Sequence, residues 1–506
     1  MKSRFQALWL IVCAGALLLL AMGCNDTLRQ FITPIPPPTG DPGALAHAIT
    51  LSTNPAPSGD GSDMHIDVSG DSSVGIVPLG ANPVFLGKSG NRIFAVDSGD
   101  ASNPPTVSTY TALLPQSAIV STVTLPTLPD PNAAINPVAG GTSSAGNIFI
   151  ANQGDGTAAH PGNVTVISGA VTAVTATIPL QAGASKPVMI AGNASNNQIF
   201  VVNNGSNNVT QISTIDNTVV GNPIPVGSSP IWAVMSTDGL FVFVVNQGDG
   251  TVSVIDTSLG ATAANPVIAT ITVGTLPNFA FYEPTLRRVY VTNTGSNNIS
   301  VINANGISGA NPPTKLKDIS VAASPTSVTA LSNGAKAYAA LGNCPTSAGS
   351  PLNHLTIISK LPACTGNLVS VIDTVGLSVL RNITVGSGAV SIDSSGDASR
   401  AYVISANDTT TIRDNVHAPN CTGTGCLPAP PLPDRTFATP SITIIRTATD
   451  GVIATPVDPS VVNTPLPTFH VPQQSPNCTP TIDNNFNKTV PMPCPLQLPF
   501  VVRTFP

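Results

Sequence analysis

The stretch YVTNTGSNNISVIN, from Tyr290 to Asn303, decides how the whole sequence is read. An alternating apolar run reaches Asn293, a short turn of Thr, Gly, Ser and Asn follows, and a second alternating run starts at Asn298. Period-two alternation marks half-buried strands, and Asn with Gly marks a tight reversal, so the stretch is a β-hairpin. The same grammar recurs along the chain. FIANQGDG from Phe149, VVNNGSNN from Val201 and VVNQGDG from Val244 lead into NVTVI at Asn163, NVTQI at Asn208 and TVSVID at Thr251. Weaker leads, FAVD at Phe94, YAAL at Tyr338 and YVIS at Tyr402, precede TVST at Thr106, LVSVID at Leu368 and SITII at Ser441.

The last residue of each lead moves from Asp97 to Asn152, Asn203, Asn246, Asn293, Leu341 and Ser405, a spacing of about 45 residues once insertions are allowed for. Each copy also has a lead strand after a proline, as in SPIWAVMSTDG at Ser229, and a closing strand such as PVIATITVG at Pro266. Repeats of this length with several short strands are propeller blades. The expected fold is all-β, a seven-bladed β-propeller of four-stranded antiparallel blades, strands a to d, with loop insertions and a Pro-rich C-terminal tail. Composition agrees: 9% of residues are charged and Glu283 is the sole glutamate, while Val, Ile, Thr, Gly and Pro abound. A further strand pair, MHIDVSGDSSVGIVPLG from Met64, reads as strands c and d of a blade lacking its beginning, and so as ring-closing material, a cap or an incomplete eighth blade.

YVTNTGSNNISVIN resembles the YVTN-type β-propeller repeat of bacterial and archaeal exported and cell-surface proteins, over roughly Ser62 to Pro456. The resemblance implies a fold and a place outside the cytoplasm, and leaves function open. Residues 1–23 read as an export signal, with basic Lys2 and Arg4 before an apolar run. The ending Leu20-Ala21-Met22-Gly23-Cys24 resembles a bacterial lipobox, which implies acylation of Cys24 and a membrane anchor, although Ala21 stands where the family usually has Leu. Residues 24–61 form a Pro-rich tether and N-terminal segment, 62–456 the propeller, and 457–506 a Pro-rich tail that either clasps the propeller or extends as a contact arm. The expected location is the bacterial cell envelope, on the periplasmic or surface side. A net charge of -6 without a basic stripe speaks against nucleic acid.

The hexapeptide NQGDGT occurs at Asn152 and again at Asn246. As the turn from strand b to c it needs no ligand. Gly supplies positive φ, and Asn or Asp bonds its own backbone. Asn152, Gly154, Asp155, Asn203, Gly205, Asn246, Gly248, Asp249, Asn293 and Gly295 are accordingly read as turn residues. The rival reading, a calcium loop, wants several carboxylates, and Asp155 and Asp249 are each nearly alone.

Insertions at the b–c connection fall around Gly99 to Pro105, Thr157 to Gly162, Asn343 to Gly366 and Asn407 to Pro440. Equivalent loops share one face of the disc, and d–a connections are expected there too, so this is the expected binding face; neutral loop growth is the alternative. The pairs Cys344 and Cys364, Cys421 and Cys426, and Cys478 and Cys494 lie outside the repeat strands and suggest disulfides, with local pairing preferred among several connectivities. His417, Cys421 and Cys426 could begin a zinc site, but a fourth ligand is not apparent.

Around the channel, Lys88 and Asp393 are the only titratable groups of the a strands, and weak catalytic candidates. Glu283, beside Pro284 in the a–b turn, is expected at the surface, and Trp232 in the core. The sequence calls for no cofactor and no metal. It points to a lipid-anchored, non-catalytic binding scaffold for an envelope protein or polymer, with an exported hydrolase resembling propeller lactonases, or a structural surface-layer component, as alternatives.

Overall fold

Backbone pairing shows first how the repeats close. In the computed structural model, the copy around NQGDGT at Asn246 folds as Pro230–Met235, Phe241–Asn246, Thr251–Asp256 and Val267–Thr272, hydrogen-bonded in that order as antiparallel neighbours. All seven repeats form such antiparallel sheets, the seventh with Phe469–His470 added beside Ser441–Arg446 as a fifth strand, and the chain is an all-β propeller. The structure describes residues 47–53, 60–67, 72–89, 92–111, 119–130, 133–192, 197–259, 266–307, 311–345, 364–406, 409–412, 435–438, 441–452, 469–470, 481–482, 488–489 and 498–505.

Between the seventh and first repeat blades lies a further four-stranded sheet drawn from both ends of the chain. Its strands, in spatial order, are Leu498–Phe505, His47–Thr53, Asp60–Asp67 and Ser72–Ala81. The pair around Met64 is thus strands c and d, as its sequence suggests, and the missing beginning comes from elsewhere. Strand a comes from the C-terminus, where Leu498–Phe505 packs beside Ala389–Ser394 of blade seven, and His47–Thr53 packs against Pro83–Ser89 of blade one. The boundaries at 61 and 457 cut through this sheet, because neither terminal strand carries the repeat motif. Both the clasp and the contact-arm readings fell on this tail, and its last strand is a clasp.

Strand b is the most buried. Three residues before the end of each repeat's b strand stands an aromatic: Phe94, Phe149, Phe200, Phe243, Tyr290, Tyr338 and Tyr402 are all essentially without solvent contact. One ring per blade fills the wedge between neighbouring sheets, where each aromatic buries a large apolar area. Trp232 is buried too; its centroid lies 4.8 Å from that of Phe279, and its Nε1–H donates to Ala280 O in the next blade at 3.0 Å.

Each blade has two ends. At one, b–c turns meet d–a loops: Gly248 N donates to Ser228 O at 2.9 Å, Gly205 N to Ser185 O at 3.1 Å and Gly295 N to Thr275 O at 3.0 Å. At the other, a–b and c–d turns meet, as where Thr257 N donates to Leu240 O at 2.9 Å. These are called the b–c face and the c–d face.

Candidate functional site

The two copies of NQGDGT do different things. At Asn246, the turn is a brace. Asp249 Oδ2 accepts Ser228 N–H at 2.9 Å and Asp249 Oδ1 accepts the Thr251 hydroxyl at 2.7 Å, while Asn246 Nδ2 donates to Thr251 Oγ1 and Ser253 Oγ at 3.0 and 2.9 Å. Asn203 and Asn293 repeat the amide pattern toward Asn208 and Thr210, and toward Asn298 and Ser300. Ser206 and Ser296 replace Asp249 as acceptors for the d–a loop.

At Asn152 the marker amide behaves alike, donating to Asn163 and Thr165, but Asp155 turns into the insertion. Its Oδ1 accepts Thr157 N–H at 2.8 Å and Thr157 Oγ1–H at 2.7 Å, and its Oδ2 lies 3.1 Å from His160 Nδ1. These bonds from Thr157, hydroxyl first, hold the exposed Asp155 carboxyl below its ordinary range and keep it ionised. A small cleft beside it is lined by Asn152, His160, Pro161, Asn163, Thr177 and Leu180.

The glycines of these turns divide by cause. Gly154 and Gly250 have φ of +77° and +66°, as expected. Gly205, Gly248 and Gly295 do not need positive φ; a Cβ on each would lie 2.7 Å from the Ser185, Ser228 or Thr275 hydroxyl of the d–a loop. Those glycines serve close approach of two loops.

The first insertion is also internally ordered. Asp100 Oδ1 accepts the N–H groups of Ser102 and Asn103 at 2.7 and 2.8 Å, and these bonds, Ser102 first, lower the carboxyl's pKa. Gly99 N donates to Ala81 O, Gly154 N to Ile135 O and Asn343 N to Ser324 O. The first, second and sixth insertions therefore spring from the b–c face. Cys344 and Cys364 form a disulfide across the foot of the sixth insertion, with a sequence separation of 20. The seventh leaves on a two-stranded stem, Thr409–Ile412 with Arg435–Ala438. Cys24, Cys421, Cys426, Cys478, Cys494, His354, His417 and the remainder of both large insertions lie outside the described residues.

The channel candidates are not brought together. Lys88 is exposed on blade one and Asp393 half-buried on blade seven, with the terminal sheet between those blades. Asp393 Oδ1 accepts Ser394 N–H at 2.9 Å and Thr329 Oγ1–H at 3.2 Å, lacing blades six and seven. Glu283, expected at the surface, is fully buried: its two carboxylate oxygens accept the N–H groups of Thr285 and Leu286, each at 2.7 Å, and this pairing makes burial tolerable. Among the described residues no group of three or more His, Cys, Asp or Glu side chains could hold a metal ion.

Sequence reading missed the residue after the marker. Asn204 Nδ2 donates to Pro230 O at 3.0 Å and Gln247 Nε2 to Pro277 O at 3.1 Å, each reaching the next blade. The recurring amide after Asn203 and Asn246 was the available signal.

Charge is unevenly shared between the faces. Asp97, Asp100, Asp130, Asp155 and Asp249 stand at the b–c face, and among the described side chains Lys186 is the lone lysine or arginine there. Arg287, Arg288, Lys315, Lys336, Arg400 and Arg446 stand toward the c–d face, where Asp216, Asp238, Asp256, Asp318, Asp373, Asp397 and Asp450 balance them.

No family model matches the chain, and no curated protein matches it in sequence. Solved structures do. Dihydro-heme d1 dehydrogenase NirN in complex with DHE aligns with a TM-score of 0.55 and 13% identity, over 82% of this chain and 73% of that one. The periplasmic gluconolactonase PpgL of Pseudomonas aeruginosa aligns with a TM-score of 0.48 and 14% identity, over 68% of this chain and 97% of that one. At such identities the likeness is one of fold.

Proposed function

We propose that this chain is a lipid-anchored propeller of the bacterial cell envelope, of the YVTN-repeat type, acting as a non-catalytic binding scaffold through its b–c face. The observation that carries the reading is the ordering of the insertions on that one face. Asp100 and Asp155 each fold an insertion around a carboxylate, and Cys344–Cys364 fixes the foot of a third. Fixing loops that lack a core of their own removes the entropy a partner would otherwise have to overcome on binding. The acidic balance of the face selects a cationic segment of an envelope protein or polymer, and makes capture sensitive to salt.

Crosslinking pull-down from intact cells, with the full-length chain and with residues 345–363 deleted, tests this. A stoichiometric partner that the deletion loses, and that Asp100→Asn with Asp155→Asn weakens, supports the scaffold. Unchanged capture in both variants sinks it. The hydrolase reading is weakened by the commitment of Asp393 to Thr329 and Ser394; lactone-dependent proton release lost in Asp393→Ala would restore it.

A further inference from the structure

We infer that Asn305–Gly306, in the c–d connection of blade five, is a modification site at which the chain converts its own asparagine to aspartate and isoaspartate through a cyclic imide. This is independent of the anchor and of partner capture, so either can fail while the site stands.

Asn–Gly occurs at three places, Asn204–Gly205, Asn305–Gly306 and Asn333–Gly334. A glycine after asparagine carries no Cβ to shield its nitrogen, so the backbone can reach the side-chain amide carbon. On sequence the three pairs are equivalent. Their surroundings separate them.

The reaction needs the glycine nitrogen and the asparagine Cγ free to meet. At Asn204 both partners are held: its Nδ2 donates to Pro230 O of the next blade at 3.0 Å, and Gly205 N donates to Ser185 O at 3.1 Å. At Asn333, Oδ1 accepts Ala335 N–H at 3.0 Å, Gly334 N donates to Leu331 O at 2.8 Å, and Gly334 is buried. Asn305 and Gly306 are both exposed, and among the described residues neither the Asn305 side-chain amide nor the Gly306 N–H has a hydrogen-bond partner. The bonds that fix this turn leave the reacting atoms alone, since Asn305 N donates to Asn303 Oδ1 at 3.1 Å and Asn311 Nδ2 to Gly306 O at 2.9 Å. Space agrees with the bonding. A Cβ on Gly306 would come no nearer than 3.7 Å to Asn311 Nδ2, whereas one on Gly205 would lie 2.7 Å from the Ser185 hydroxyl.

The chemistry closes with water as the only co-reactant. Gly306 N gives up its proton and bonds to Asn305 Cγ; the Cγ–Nδ2 bond breaks, and Nδ2 takes up a proton and leaves as ammonia. Water then opens the imide. Attack at Cγ gives aspartate with the original peptide bond, and attack at the Asn305 main-chain carbonyl gives isoaspartate, with the chain running through Cγ. Asn305 lines one cleft with Arg287, Arg288 and Asn303. The product therefore sets a new negative charge into a cleft walled by two guanidiniums, and the iso form adds a methylene to the main chain of the connection.

The test incubates the purified full-length chain in mildly alkaline buffer, folded and in urea, in water carrying heavy oxygen so that each new carboxylate is labelled. Peptide mapping by mass spectrometry follows the three sites, and an isoaspartate-specific methyltransferase provides a second readout. In the folded chain Asn305 should convert at least about tenfold faster than Asn204 and Asn333, a ratio that one held hydrogen bond suffices to produce. In urea the three rates should converge, because the holding bonds are gone, and this comparison needs no variant. Equal rates in the folded chain, faster conversion at Asn204 or Asn333, or an Asn305 that stays intact until urea is added overturns the proposal. Asn305→Gln, which would have to close a larger ring, should remove the dominant acidic form that ion exchange resolves from the incubated chain; the same acidic form appearing at the same rate in that variant overturns it as well.

Discussion

Ser228 N–H donates to Asp249 Oδ2 at 2.9 Å, which ties the d–a loop of blade four to the turn that follows its strand b. The identical hexapeptide two blades earlier sends Asp155 to His160 instead. The difference comes from what surrounds the hexapeptide. Thr251 begins strand c directly, whereas Thr157 is followed by five further insertion residues before Asn163.

Both Asp249 oxygens therefore accept from donors of the protein itself, and no second carboxylate joins Asp249 in a metal-binding group among the described residues. Millimolar calcium should leave the thermal midpoint unchanged. Asp249→Ala should lower stability by about 1 kcal/mol in urea melts, the usual cost of losing an exposed turn cap. A calcium-dependent rise abolished by Asp249→Ala would restore the cation reading.

Gly250 at φ +66° has the same place in its turn as Asn207 at +54° and Asn297 at +51°. Gly250→Asn should then be nearly neutral. Gly250→Ala should cost about 1 kcal/mol, because only Gly and Asn visit that region cheaply. Gly248→Ala should cost about 1–3 kcal/mol for a different reason, the added Cβ meeting the Ser228 hydroxyl at 2.7 Å and its carbonyl at 3.0 Å. Equal losses for Gly250→Asn and Gly250→Ala in denaturant titrations would refute the conformational account.

The Cys344–Cys364 bridge closes a loop with a separation of 20 residues. By loop-closure entropy, Cys344→Ala with Cys364→Ala should lower unfolding free energy by about 3 kcal/mol. Limited proteolysis should show cleavage moving into residues 345–363 with the other blades intact. A variant as stable and as protease-resistant as the parent would show that the bridge restrains nothing.

The repeated parts of this fold were legible because repetition averages out local ambiguity. Asn203, Asn246 and Asn293 each end a strand b and each amide makes the same pair of bonds to strand c. The unrepeated parts were not. LPFVVRTF, Leu498 to Phe505, reads as the end of a Pro-rich tail, and only its pairing with His47–Thr53 makes it an inner strand. Glu283 was misread because a charged residue before proline suggests a surface turn, while the decisive fact is the aim of two backbone N–H groups. Lys88 and Asp393 were candidates as the titratable groups of the a strands, and the terminal sheet lies between their blades. For the site, the location of the insertions was readable and the roles of Asp100, Thr157 and His160 were not, since they depend on loop conformation.

Alkaline pH should unfold the ring by way of its buried tyrosines. Tyr338 OH donates to Asp450 Oδ1 at 2.6 Å, and the same carboxylate holds Lys336 Nζ at 2.8 Å, joining blade six to the c–d turn of blade seven. Burial, reinforced by the Asp450 hydrogen bond, pushes the Tyr338 phenol well above its ordinary value near 10, and burial raises Tyr290 as well. A pKa raised in the folded state means that the unfolded chain loses the proton first. The stabilisation is complete below pH of about 10 and declines as pH rises above it, by at most roughly 1.4 kcal/mol per pH unit for each such group. Tyr338→Phe should lower stability at neutral pH by about 1 kcal/mol through the lost hydrogen bond, yet flatten the decline above pH of about 10. Urea melts of both proteins across that range check this, and parallel pH profiles would exclude Tyr338 as a titrating group in unfolding.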